Sequence, residues 1–481
     1  MTAEVQPTVS LISLGCSKNQ VDSELILSGF LEYGFAMIDQ PMKADLVIVN
    51  TCGFIGPAKE ESVDTILEAL AAKKLRPGMR VMVSGCLYQR YPEMVKELAE
   101  VDYWLTEPGQ AQMEKTVKQV CADMSIGTGR RPGEPEMYRR KVLLSEPGSA
   151  FLRISQGCDR TCAFCSIPKF KGGLVSKNVE QLVADVNWLT TKFGIHEINL
   201  VAQDLTQFGT DRGGNEFADL LFQLEHRTQA KWFRLHYIYP FGLTKPVLEF
   251  LAQSKRFARY LDIPFQHGDD EVLKIMRRGG TRRSFLEYIR QIRETVPGVA
   301  IRTTMIVGHP GEEEKHYDNL VEFVREARFE WMGVFPFSTE DGTAAARFKG
   351  KVHKSVKERR AADLMEHFRE VRDVECFGIG QVHDALVTEV VVTEALATEA
   401  GTSEHATSEH GGEGMFACRT EKQAAEVDGV VYVPKCEGVR PGSLVRVRID
   451  DAEDMDFTGE IVERIAGTSP KPMPQSLPMA L

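Results

Sequence analysis

Phe151-Leu152-Arg153-Ile154-Ser155-Gln156-Gly157-Cys158-Asp159-Arg160-Thr161-Cys162-Ala163-Phe164-Cys165 joins a short apolar run to three cysteines in the spacing C-x3-C-x2-C. Residues 151–155 read as a strand, so the thiols fall on the loop leaving its carboxyl end. Three thiolates on one loop can hold three irons of a cubane cluster. Full ligation takes four cysteines, so one iron stays open to a small molecule. Zinc is the alternative, but a structural zinc takes a fourth Cys or His nearby, and residues 156–195 offer none beyond these three thiols. The chain has ten cysteines and begins Met1-Thr2-Ala3-Glu4, with neither a basic end nor an apolar stretch. Both features predict a cytoplasmic protein with reduced thiols rather than disulfides.

Downstream, residues 198–202, 232–237, 259–263, 300–307 and 331–337 repeat the strand pattern. Amphipathic stretches such as 179–192, 271–276 and 314–327 lie between them, and 364–374 reads as a closing helix. Six strand-helix repeats predict an open or partial β/α barrel over 149–378. Upstream, strands at 9–14, 45–49 and 80–83 alternate with helices at 23–33, 59–73 and 92–98, which predicts a doubly wound α/β domain with a parallel sheet over 8–126. Cys16, Cys52 and Cys86 each stand where one of these strands ends. Loops at the carboxyl ends of parallel strands converge on ligand sites, so the three thiols are expected to meet. Gly15, Gly53 and Gly85 beside them would let backbone approach a bulky ligand. The bland alternative is three small buried hydrophobes.

Beyond residue 378, Val-rich runs at 387–393, 429–433, 444–449 and 457–464 predict a small antiparallel β-barrel over 379–466. The insertion 394–414 carries His405 and His410 in a near repeat that could bind metal. With nothing to bury, it is expected to be a disordered polar segment instead. Residues 127–148 read as a linker and 467–481 as a flexible tail.

At 481 residues the chain has room for about three domains. Its 43% hydrophobic and 26% charged content excludes a disordered or collagen-like chain. No apolar run of about 18 residues exists, so no membrane span is expected. The net charge is -11, and residues 381–481 hold 18 acidic against 8 basic side chains, so nearly all of the excess sits at one end.

The cysteine loop, with Phe164 before its last thiol on the first strand of a β/α barrel, resembles the signature of radical S-adenosylmethionine enzymes. The resemblance implies that the open iron takes the amino and carboxylate groups of the methionine moiety. Gln203 and Asp204 after the second strand would meet the amino group, and Gly308, Pro310 and Gly311 after the fifth would line the ribose or adenine. The last motif also reads as a plain Gly-Pro turn.

From about residue 9 to 464 the chain resembles the methylthiotransferases. Leu14-Gly15-Cys16-Ser17-Lys18-Asn19-Gln20-Val21-Asp22-Ser23-Glu24, Asn50-Thr51-Cys52-Gly53-Phe54-Ile55 and Ser84-Gly85-Cys86 carry the likeness of its first domain. It implies a TRAM-like barrel at the C-terminus and two 4Fe-4S clusters, one on Cys158, Cys162 and Cys165 and an auxiliary one on Cys16, Cys52 and Cys86. Cys121, Cys376, Cys418 and Cys436 remain as structural thiols.

Such enzymes modify transfer RNA adenosines or an aspartate of ribosomal protein S-twelve. Ser17-Lys18-Asn19, Ile167-Pro168-Lys169-Phe170-Lys171-Gly172-Gly173, Gln203-Asp204-Leu205-Thr206-Gln207-Phe208-Gly209 and Met276-Arg277-Arg278-Gly279-Gly280-Thr281-Arg282 look like the second group. The charge agrees: RNA-binding barrels are basic, whereas an acidic one steers a basic ribosomal protein inward. Departures are Leu174-Val175-Ser176-Lys177 in place of two arginines, His309 in place of an aromatic, and the insertion.

The implied reaction takes one electron from an external low-potential donor and two S-adenosylmethionine molecules per turnover. One is cleaved to a 5'-deoxyadenosyl radical that takes hydrogen from the aspartate β-carbon; the other gives the methyl group. The protein substrate would be met free or on the small ribosomal subunit. The two cysteine sets must then face one cavity. The rivals are a transfer RNA methylthiotransferase and a non-enzymatic cluster protein whose β-barrel is an interaction module.

Overall fold

A computed structural model describes residues 6–106, 110–126, 139–391 and 414–465. The first unit is a parallel sheet of β1 (Thr8–Ser13), β2 (Ala36–Met37), β3 (Leu46–Thr51), β4 (Arg80–Gly85) and β5 (Tyr103–Leu105), in the order β2-β1-β3-β4-β5. β3 is buried at every position, as its unbroken apolar run requires of a strand covered on both faces. Leu46 and Ile48 pack with α1 (Ser17–Glu32) and α5 (Gln110–Asp123); Val47 and Val49 pack on the other face with α2 (Gly56–Leu75). The sheet is thus doubly wound, as expected.

Two short helices follow β4, α3 (Cys86–Arg90) and α4 (Met94–Glu97), in place of the single helix expected at 92–98. β2 and β5 are edge strands of two and three residues, too short to leave a periodic signal.

The second unit opens with β6 (Ser149–Arg153) and a two-residue hairpin, β7 (Ser155–Gln156) with β8 (Val175–Ser176), which brackets the cysteine loop and α6 (Ile167–Phe170). α7 (Val179–Phe193) starts at Asn178, whose side chain accepts from the Glu180 and Gln181 N–H groups, and ends at Gly194 in the left-handed region. There follow β9 (Glu197–Val201), α8 (Phe217–Arg227), β10 (Trp232–Leu235), α9 (Lys245–Gln253), β11 (Phe257–Asp262), α10 (Asp270–Ile275), α11 (Arg282–Thr295), β12 (Ala300–Val307), α12 (Glu314–Ala327), β13 (Trp331–Pro336) and α13 (Lys354–Val371). The six main strands pair in parallel in chain order, from β6 through β9 to β13, as an open sheet.

Side chains alternate along these strands. Ile198, Leu200, Phe233 and Leu235 join the helix-side core. Glu197, Asn199, Arg234, His236 and Asp262 alternate with them and are buried.

The third unit is a closed barrel of β14 (Val382–Val391), β15 (Met415–Thr420), β16 (Val431–Pro434), β17 (Leu444–Glu453) and β18 (Asp456–Arg464), in the order β14-β15-β16-β18-β17. Four pairings are antiparallel, and β16 with β18 is parallel. The expectation of antiparallel pairing is corrected at that one seam, because a closed ring with an odd number of strands cannot alternate direction all the way round. Arg419 and Asp428 of this unit reach into the barrel strands: Arg419 Nη2 lies 2.6 Å from Glu197, and Asp428 takes Tyr260 Oη–H at 2.7 Å and Arg302 at 3.2 Å. Residues 127–138 of the expected linker, 394–413 of the insertion with both of its histidines, and the tail from 467 lie outside the described residues.

Candidate functional site

β1 and β3 lie side by side although β2 is the next strand in the chain after β1, so the strand order reverses between them. Open α/β sheets bind ligands at such a switch point. Cys16 follows β1 as the residue before α1, Cys52 follows β3 directly, and Cys86 follows β4 as the first residue of α3. Asn19 Nδ2–H donates to Leu14 O (2.6 Å) and Thr51 O (3.2 Å), and Asn50 Nδ2–H donates to Asn19 O (2.8 Å) and Ser23 Oγ (2.7 Å). Ser62 Oγ bonds both the N–H and the C=O of Cys52.

A Cβ on Gly15 would stand 2.8 Å from Cys52 Cβ, and one on Gly53 would stand 2.7 Å from Leu87 Cα. These glycines let the loops that carry the three cysteines press on one another. The three thiols are close enough to feel one another's charge: Cys16 acts on Cys52, and both act on Cys86. Burial pushes the Cys86 thiol up to about 12 and raises Cys52 as well.

In the second unit, Cys158 N–H donates to Gly172 O (3.2 Å), and its Sγ accepts the Arg160 N–H at 3.4 Å. Arg160 reaches Asp204 Oδ2 through both Nε and Nη2 at 2.9 Å. Its guanidinium also lies 3.9 Å from the centre of the Tyr239 ring, and Arg278 lies 4.0 Å from the same ring. Arg278 Nη1 donates to Cys162 Sγ at 3.7 Å. Ala163 is pinned between Met276 O and the Ala345 N–H. Phe164 packs with Phe337, Ala344 and Phe348. Burial pushes Cys165 up to about 12, with Cys162 and Cys158 adding to the rise.

Of the residues singled out for the cofactor, Asp204 contacts this loop through Arg160. Asp204 accepts from Thr206 N–H (3.0 Å) and Oγ1–H (2.6 Å) with Oδ1, so with Arg160 both of its oxygens are engaged. Gln203 beside it is half-buried. Gly308, Pro310 and Gly311 form a loop locked by Glu312, whose Oε2 accepts from the Gly308 and His309 N–H groups and whose Oε1 binds Arg360 at 2.7 Å. Burial alone would raise the Glu312 carboxyl, but His267, the Gly308 amide and Arg360 hold it below its usual value. Four non-glycine residues with positive φ, Tyr237, Phe241, Gln266 and Arg277, cluster in the loops around this mouth. Strain of that kind gathers at functional sites.

The two cysteine sets are joined across the units. α3, which begins at Cys86, packs on α6, which follows Cys165, and Lys171 acts on the Cys86 thiol. Lys18 Nζ lies 3.5 Å from the centre of the Tyr237 ring. Burial pulls the Lys18 ammonium down, but Tyr237, Cys16 and Asp262 outweigh it and its pKa is raised. Glu340 clasps the units: it accepts from the Gly56 N–H (3.0 Å) and from Arg90 (2.9 Å), which also donates to Gly53 O. Arg153 pairs with Asp22 at 2.7 Å.

Cys16 is exposed and Cys52, Cys86, Cys162 and Cys165 are half-buried. Among the described residues no three His, Cys, Asp or Glu side chains gather tightly enough for a single metal ion. Reading of the sequence missed Glu340, Arg90 and Tyr237; Arg278 and Lys18 lay in quoted motifs without a role.

Family models bear on each unit. The model described as "Uncharacterized protein family UPF0004" matches residues 8–106, that of the Radical SAM superfamily residues 152–324, and that of the TRAM domain residues 401–462. A radical S-adenosylmethionine methyltransferase, TsrM from Kitasatospora setae, solved with cobalamin and a [4Fe-4S] cluster, is 14% identical with a TM-score of 0.51, covering 71% of this chain and 77% of that one. It shares the fold. The middle unit thus defines a radical S-adenosylmethionine enzyme.

The ribosomal protein uS12 methylthiotransferase RimO of Pelotomaculum thermopropionicum is 37% identical over 464 residues, 94% of this chain and 99% of the relative. That of Solibacter usitatus is 38% identical over 475 residues, 97% and 96% of the two chains. The chain belongs to the ribosomal protein uS12 methylthiotransferase RimO family.

Proposed function

We propose that this chain adds a methylthio group to the β-carbon of an aspartate of ribosomal protein uS12 by radical S-adenosylmethionine chemistry. The observations that support the reading are the contacts between the two thiol-bearing units, α3 on α6 and Lys18 on Tyr237, in a chain related over nearly its whole length to uS12 methylthiotransferases.

Cys158, Cys162 and Cys165 would hold one 4Fe-4S cluster, and Cys16, Cys52 and Cys86 a second. When bound, the first would supply, with S-adenosylmethionine, a radical able to take hydrogen from an unactivated carbon, and the second would supply sulfur. The protein's own residues position and enclose. Arg278 donates to a ligand sulfur, a contact of the kind that sets cluster potential. Gln203 and the loop of Gly308, Pro310 and Gly311 receive S-adenosylmethionine, and Asp204 acts by holding Arg160 beside Cys158. The α3–α6 contact and the Glu340 clasp hold the two thiol-bearing units against one another. Two S-adenosylmethionine molecules are consumed per turnover, and a low-potential donor supplies the electron.

Residues 8–126, 149–378 and 379–466 are the three functional units, with a linker at 127–148, the insertion at 394–414 and a tail at 467–481. In the last unit Arg446 is paired with Asp384 and Glu463, and Arg448 with Asp450 and Glu460. Cations so engaged favour a basic protein partner over RNA phosphate. No helix among the described residues is long and apolar enough to cross a membrane, in keeping with work on ribosomal protein in the cytoplasm.

Mass spectrometry of uS12 and of transfer RNA nucleosides from cells lacking this chain tests the reading. Loss of the methylthio mass from uS12 alone is expected; loss from transfer RNA alone would replace uS12 by an adenosine substrate.

A further inference from the structure

Between the two thiol-bearing units stands a cation with no carboxylate of its own among the described residues. Lys18 lies on the face of Tyr237, and among the described residues no acidic side chain forms an ion pair with it. Neighbouring cations are taken: Arg153 by Asp22 (2.7 Å), Arg160 by Asp204 (2.9 Å), and Arg302 by Asp262 (3.6 Å) and Asp428 (3.2 Å). Asp262, the acid whose charge reaches Lys18, has Oδ1 toward Arg302 and Oδ2 on the Tyr237 N–H. An ammonium seated on an aromatic face is shielded from water, and Cys16 and Asp262 favour its charge without an ion pair to a carboxylate among the described residues.

Placement makes Lys18 useful. It stands two residues from Cys16. Its ring partner stands two residues from Tyr239, against which Arg160 and Arg278 stack beside Cys158 and Cys162. Tyr237 is held there with φ of 61° at the end of β10, a conformation that costs a tyrosine energy and persists only where its surroundings enforce it. Lys18 itself is half-buried, so part of it stays accessible.

We propose that the Lys18 ammonium, seated on Tyr237, receives the side-chain carboxylate of the aspartate to be modified and so sets the preference for an acidic side chain. The assignment rests on the reading that uS12 is the substrate. A carboxylate docking between the units sheds its water, which is costly without a charged partner. An ammonium supplies a charge-assisted bond. The β-carbon is bonded directly to the carboxylate carbon, so anchoring the one positions the other between the two thiol sets.

The test uses the full chain with both clusters reconstituted, S-adenosylmethionine present, and two forms of uS12: one with the target aspartate and one with asparagine in its place. The wild-type chain is expected to bind the aspartate form about 10- to 100-fold more tightly, the range of a hydrogen bond to a charged group. Lys18→Met is expected to bind both forms equally, and Lys18→Arg to keep part of the preference. Equal binding by the wild-type chain, or an undiminished preference in Lys18→Met, would overturn the proposal. So would a fall in S-adenosylmethionine affinity matching the fall for uS12, which assigns Lys18 to the cofactor. Iron lost from the Cys16 set in both Lys18→Met and Lys18→Arg would also overturn it, since Lys18 would then serve that cluster. If wild-type chain leaves uS12 unmodified, the substrate reading fails as well; uS12 modified without an aspartate preference sinks this assignment alone.

Discussion

Cys158, Cys162 and Cys165 share one loop of eight residues, whereas Cys16, Cys52 and Cys86 leave three different strands. The first set is held by its own neighbourhood: the β7–β8 hairpin brackets the loop, and Ala163 is pinned on both sides. The second exists only because β1, β3 and β4 lie side by side in register, with Leu14 N–H bonded to Asn50 O and Thr51 Oγ1–H to Ser84 O. A local loop tolerates change elsewhere in its domain. A site spread over three strand ends depends on the packing of the whole sheet.

Removing one thiol from each set gives the largest expected effects. Cys162→Ala should reduce 5'-deoxyadenosine formation to background, while Cys52→Ala should retain it and lose methylthio transfer, read by chromatography and by mass spectrometry of uS12. Identical phenotypes would erase the distinction between the sets.

Gly53→Val tests how the second set is held, since its Cβ falls 2.7 Å from Leu87 Cα. Anaerobic reconstitution should give about four irons per chain instead of about eight. A full complement would show that the loops can part without losing the site.

Glu340→Ala acts on neither set but on the clasp between them. It leaves Arg90, only 6% exposed, without its partner. A loss of about 3 kcal/mol in urea unfolding is expected, together with S-adenosylmethionine cleavage uncoupled from uS12 modification.

The smallest effect separates the units by pH. His309 is fully buried and its pKa is lowered to about 4, chiefly by burial. Its folded pKa lies below the ordinary 6.5, so the unfolded chain binds the extra proton. Stability is full above pH 6.5 and falls by up to about 3 kcal/mol as pH drops toward 4. Hydrogen exchange should show this acid limb in the β/α barrel and not in the first unit, and His309→Phe should shrink it, leaving the share of buried His236, whose pKa burial also lowers.

Much of this was legible in the chain. Strand-helix alternation foretold both parallel sheets, since buried strands carry unbroken apolar runs such as Leu46-Val47-Ile48-Val49. β12 and α12 fall at the expected residues. β15 was not foreseen, because the polar insertion before it masks a strand of six residues. Nor was the helix that begins at Cys86, since five residues make too little periodicity. The glycines announced close approach, and Gly15 and Gly53 let neighbouring loops meet.

The sequence by itself determined the donors, their order and the strand ends that carry them, because residue type and hydrophobic period are local properties. Tertiary structure alone decided that Lys18 lies on Tyr237, that Glu340 caps a helix of another unit, and that one seam of the last barrel is parallel. Each of these joins groups far apart in the chain, and such partners are selected by packing and charge only once the sheets have formed.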